Sequence, residues 1–102
     1  MANQFKKVTL AVTDTSGTLY TVPAATTTIV IGFMISNLGD VPIEVDVEVG
    51  GIVYGHKLPI PVGASISALD GKLVLETTET VDVTSNVANS ANAFLSIMEI
   101  TA

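Results

Sequence analysis

The sequence has no cysteine, no tryptophan and no arginine, and only two tyrosines and three phenylalanines. The lack of cysteine excludes a disulfide framework and thiolate chemistry. Four lysines stand against ten acidic residues, for a net charge of -6. An acidic, arginine-free chain lacks the phosphate-neutralising groups that supply most nucleic-acid affinity. Charge itself is scarce, at 14% of residues against about 25% in an average soluble domain. With 48% hydrophobic residues, this composition excludes a disordered acidic tail. Long apolar runs are missing too. The most apolar stretch, Ile29 to Ile35, is interrupted by Gly32 and falls far short of the ~20 residues a membrane helix needs. Residues 1–8 lack a signal-peptide core, so a soluble protein made in a cytoplasm is expected.

What is present points to β structure. Val, Ile and Thr dominate, and their branched side chains favour a pleated, half-buried surface. Turn residues recur at short intervals: Asp14 to Gly17, Pro23, Asn37 to Asp40, Gly50-Gly51, Pro59 to Gly63, Asp70-Gly71 and Ser85 to Asn92. The 102 residues therefore read as one domain, an all-β antiparallel sandwich of seven to nine strands. A chain of this length buries roughly two thirds of its unfolded surface, enough to fold without metal or disulfide.

Gly50-Gly51 suits a two-residue hairpin turn. Pairing Val49 with Ile52 sets Val47 against Tyr54, Val45 against His56 and Ile43 against Leu58 on an apolar face. Glu44 then faces Lys57 and Glu48 faces Val53 on the other face. Asp70-Gly71 suggests a second hairpin, with Ala68 facing Leu73 and Ile66 facing Leu75. Val8, Leu10 and Val12 alternate with polar or small residues, as in a strand buried on one face.

Two strands are apolar on both faces. Ile29, Ile31, Phe33 and Ile35 alternate with Val30, Gly32 and Met34; Phe94, Met98 and Ile100 alternate with Leu95 and Ile97. A two-layer sandwich has one inner face per sheet. Such strands need a second cover, and a subunit interface is the simplest one. Val30, Met34, Phe94, Leu95, Ile97 and Met98 are the candidate interface residues.

Catalytic constellations are hard to find. His56, the single histidine, has no visible nucleophile or ligand set, and the hairpin register makes it a packed structural residue. Glu44, Asp46 and Glu48, with Asp40 nearby, share a strand face. They suit a solvated acidic face better than a calcium site, which converges from loops. Five aromatics leave little for a sugar cleft, and no Gly-x-Ser-x-Gly elbow or phosphate loop occurs. Lys6-Lys7 reads as a solubilising N-terminus, or as a contact with an acidic neighbour. No catalytic residue, cofactor or metal is expected.

The stretch from Leu19 to Ile100 resembles small β-sandwich, jelly-roll-like virion proteins of tailed bacteriophages. The resemblance lies in Leu19-Tyr-Thr-Val-Pro-Ala-Ala25, the apolar strand closing at Asn37, Leu58-Pro-Ile-Pro-Val-Gly-Ala-Ser65, Gly71-Lys-Leu-Val-Leu-Glu76, Val81 to Ser85 and Leu95 to Ile100. It rests on the order of these motifs more than on any one of them. It implies a jelly-roll-like fold and a non-enzymatic structural role in the virion, first as a capsid decoration (cement) protein. The implied partners are other copies of the chain, closed on three-fold or other cyclic symmetry, and capsid or other virion proteins, with no nucleic acid and no membrane. A head–tail, tail or fibre component is the nearest alternative. A carbohydrate- or host-surface-binding module and a small hydrolase come from other classes.

Overall fold

A computed structural model describes residues 2–69, 71–87 and 90–101. Nine strands follow one another with no helix among the described residues: β1 (Ala2–Val12), β2 (Gly17–Thr21), β3 (Thr26–Asn37), β4 (Ile43–Val49), β5 (Ile52–Ile60), β6 (Ser65–Ser67), β7 (Leu73–Leu75), β8 (Thr80–Ser85) and β9 (Ala91–Thr101). They form two antiparallel sheets. One runs β1-β9-β3-β6 with β7 also on β3; the other runs β2-β8-β4-β5. Counting β6 and β7 as one interrupted strand, this is the eight-strand order of a jelly roll. Val12, Val30, Phe33, Ile35, Val45, Val47, Val83, Leu95 and Ile97 fill the space between the sheets.

The expected second hairpin does not form. Ser67, Ile66 and Ser65 pair with Met34, Ile35 and Ser36, whereas Leu73, Val74 and Leu75 pair with Val30, Ile29 and Thr28. The chain leaves β3 after Ser67 and rejoins the same edge in the same direction, instead of folding back on itself. Asp70 of the expected turn lies outside the described residues.

The first hairpin does form, with both turn glycines at positive φ. Val49 faces Ile52 and Glu48 faces Val53 as expected, but then β5 takes in two extra residues. Val47 faces Gly55 and Val45 faces Leu58, so Leu58 stands where His56 was expected. Lys57 adopts a left-handed backbone (φ 52), and its N–H donates to Asp46 Oδ1 at 2.7 Å. His56 Nδ1 lies 3.2 Å from the same oxygen. Asp46 thus staples a bulge in which His56 and Lys57 oppose one residue. Three expectations fall with that shift. His56 and Tyr54 are exposed, not packed inward, and Glu44 faces Pro59, not Lys57.

A third bulge lies in β3. Val30 faces Ile97 and Gly32 faces Ser96, which leaves Ile31 as the extra residue. Side-chain parity therefore inverts there. Thr26, Thr28 and Val30 point inward before it, and Phe33, Ile35 and Asn37 point inward after it. At the end of β3 the buried Asn37 amide donates to the carbonyls of Val41 and Ile60 at 2.9 and 3.0 Å. Its Oδ1 accepts from Gly39 N–H at 2.8 Å. One side chain thus fixes the loops on both sides of the hairpin base.

Candidate functional site: the outer face of the five-stranded sheet

The register of β1, β9, β3 and β7 aligns their outward residues into rows. Phe5 stands beside Met98, Met98 beside Ile29 and Ile29 beside Val74. With strands ~4.8 Å apart, the row spans ~14 Å between its outer strands. A second row places Thr9, Phe94, Met34 and Ser67 side by side. Phe5 is 70% exposed, Val74 59%, Met34 47% and Phe94 39%. Ile31, pushed out by its bulge, joins them at the surface. Among the outward strand positions of this sheet only Lys7 is charged. The two rows are separated by the rung of Lys7, Ser96 and Gly32.

Of the six candidate interface residues, Met34, Phe94 and Met98 lie on this face. Val30, Leu95 and Ile97 are wholly buried in the core. Leu95 and Ile97 occupy the inner side of β9, as the alternation separates them from Phe94 and Met98. Val30 turns inward because it precedes the Ile31 bulge. Phe5, Ile29, Ile31 and Val74 were not among the candidates. Phe5 sits among polar residues, and Val74 lies in the three-residue apolar run Leu73-Val74-Leu75, too short to read as a doubly apolar strand. Beside the second row, Thr9, Leu10, Ala11, Asn92 and Phe94 line an open cleft of ≈ 260 Å³.

The other sheet is acidic along the outer side of β4, with Ile52, Val53 and Tyr54 exposed on the neighbouring β5. Glu44, Asp46 and Glu48 of β4 lie beside β8, where Glu48 faces Asp82 and Asp46 faces Thr84. Among the described residues, no three His, Cys, Asp or Glu side chains gather closely enough to hold a metal. Asp46 serves the β5 bulge instead.

Beneath the apolar face lies a polar network that links the sheets. Glu99, 5% exposed on the inner side of β9, receives Lys6 Nζ of β1 at 2.8 Å. Its other oxygen accepts from the Tyr20 hydroxyl of β2, which also lies 2.8 Å from Thr28 Oγ1 of β3. The Lys6 and Tyr20 hydrogen bonds hold the Glu99 carboxyl below the usual range, against the opposing effect of burial. Burial, reinforced by Glu99, pushes the Tyr20 hydroxyl up to about 12. Lys6 is thus engaged within the chain, neither a merely solubilising residue nor free for an acidic neighbour. The sequence held a signal for this. Glu99 continues the Leu95–Ile97 phase and is the one acid placed on the inner face of the closing strand.

No protein-family model matches the chain, and no curated protein matches it either. Among the solved structures similar to it in fold are two from large assemblies. One is from the acidic stable capsid of Helicobacter pylori bacteriophage KHP30, with a TM-score of 0.66 and 10% identity over 100% of this chain and 90% of that one. The other is from Bacillus endospore appendages, a novel family of disulfide-linked pili, with a TM-score of 0.58 and 14% identity over 98% and 87% of the two chains. At these identities the likeness is one of fold.

Proposed function

We propose that this protein is a non-enzymatic structural component of a tailed-phage particle, a capsid decoration (cement) protein that works by docking. The observation that carries the reading is the apolar outer face of Phe5, Ile29, Met34, Val74, Phe94 and Met98, which a lone sandwich has no need to build. At ~25 cal/mol per Å², withdrawing ~400 Å² of apolar surface contributes about 10 kcal/mol, comparable to the ~4–15 kcal/mol that association costs. Docking on this face needs no reaction and no cofactor. The fold shared with a component of a phage capsid supports the particle setting. The fold shared with a pilus component supports assembly into larger structures, but the disulfide linkage named for those pili is closed to a chain with no cysteine. Non-covalent burial must then supply the binding. A neck, tail or fibre position is the second reading, favoured by the same pilus likeness.

The test is to label purified particles from the source that encodes the chain with an antibody to the protein. Label at regular positions over the head is the expected result. Label confined to the neck or tail favours the second reading, and unlabelled particles overturn both.

A further inference from the structure

The four sheet edges are not alike. β2 is five residues long and bulged at Leu19. β5 is broken by two register shifts, by the left-handed Lys57 and by Pro59, which has no N–H to donate. β6 and β7 are three-residue fragments. Each is blunted by the devices that keep natural edges from pairing. β1 alone presents eleven consecutive residues in unbroken register with β9, with no proline, glycine or bulge. Among the described residues nothing pairs with its other side. Residues 3–7 are exposed on both faces, with Phe5 at their centre.

We propose that β1 pairs with β1 of a second copy, antiparallel and centred on Phe5, so that two five-stranded sheets join edge to edge into one. Exposure and charge together select the register, since the exposed residues 3–7 are centred on Phe5. Centring on Lys6 or Lys7 would set each lysine against its own copy, which is unfavourable for residues directly opposite. Centring on Phe5 sets Gln4 against Lys6 and Asn3 against Lys7, and brings the two aromatic rings together. The Lys6 ammonium is already turned to Glu99 in its own chain, away from the junction. The pairing also makes the row of Phe5, Met98, Ile29 and Val74 continuous with the same row of the second copy. Identical patches meeting in this way close on a two-fold axis. This dimer stands or falls in free solution, independently of the particle reading.

Sedimentation equilibrium of the full chain should give a dimer. The absence of native cysteine allows a direct register test. Asn3→Cys and Lys7→Cys chains, mixed and oxidised, should form cross-linked heterodimers, while each alone stays largely uncrosslinked. Residues directly opposite in antiparallel strands lie within disulfide reach. Phe5→Glu, which leaves an exposed position exposed in the monomer, should weaken dimerisation at least about tenfold with an unchanged far-ultraviolet spectrum. A monomer at all concentrations overturns the proposal. So does a dimer that survives Phe5→Glu, or one in which the mixed cysteines fail to cross-link.

Discussion

Across one outer face of the sandwich Phe5, Met98, Ile29 and Val74 stand side by side; across the other, Glu48 stands opposite Asp82, with Glu44 and Asp46 along the same strand. Both faces are made of antiparallel strands whose inner sides are alike in Val, Ile and Leu. The difference lies in what each outer face can tolerate. Like charges directly opposite repel, and only water makes the pairing of Glu48 and Asp82 cheap. Covering that face would strand several carboxylates in low dielectric. The five-stranded sheet offers a single lysine among its outward strand positions, the polar remainder being neutral groups such as Thr9, Ser67 and Ser96, so covering it strands little charge. The two outer faces thus differ in how much charge covering them would strand, several carboxylates on one and a single lysine on the other.

The sharpest way to break this contrast is to place a charge in the apolar rows. Met34→Glu sets a carboxylate between Phe94 and Ser67. Because Met34 points outward, the monomer should keep its stability to within about 0.5 kcal/mol. Assembly, read as binding to particle heads stripped of the protein, should weaken about a hundredfold or more, since docking would now bury an unpaired charge. Undiminished binding by this variant would exonerate the face.

The next effect lies under the apolar face. Glu99 fixes the half of β1 that carries Phe5, through Lys6, and ties it to β2 through Tyr20. Glu99→Gln should cost about 1–3 kcal/mol, seen as a Tm lower by roughly 4–8 °C per kcal/mol. The pH dependence has a sign at each end. The Glu99 carboxyl is lowered by folding, so its contribution is complete above the ordinary carboxyl value of ~4.3 and is lost as pH falls through the lowered one. The Tyr20 hydroxyl is raised from 10.0 to about 12, so its contribution is complete below 10.0 and is lost as pH rises from there. Thermal melts of wild type and Glu99→Gln should converge at the acid end. Curves that stay offset and parallel down to pH 2 would show that the charge of Glu99 is not what stabilises the network, and coincident curves at every pH would show that it adds nothing.

The inner half of this design was more legible in the sequence than the outer half. Strict alternation placed Val8, Leu10 and Val12, and separated Leu95 and Ile97 from Phe94 and Met98, because nothing interrupts the period of two in β1 or β9. Bulges defeated the same reasoning elsewhere. One extra residue at Ile31 inverts β3, and two in β5 exchange His56 for Leu58. A one-residue slip flips every later side chain, and no residue type announced those slips. Gly55 carries part of the reason. A Cβ there would lie 2.8 Å from a Leu58 methyl, so a larger residue would have to push the Leu58 side chain aside. The doubly apolar strands were readable, but which residues formed the outer rows depended on the lateral register of four strands, which is tertiary information.

The smallest effect separates the two faces most cleanly, because it makes on the polar face the kind of change made on the apolar one. Glu48→Lys puts an ammonium opposite Asp82 and next to the exposed Val53. An unfavourable cross-strand pair becomes a favourable one, which should stabilise the monomer by about 0.2–1 kcal/mol at low salt and by less at high salt. Binding to stripped heads should not change, since this face stays in water on either side of the equilibrium. If Glu48→Lys instead weakened binding as much as Met34→Glu, the acidic face would be a contact surface as well, and the protein would be gripped on both sides.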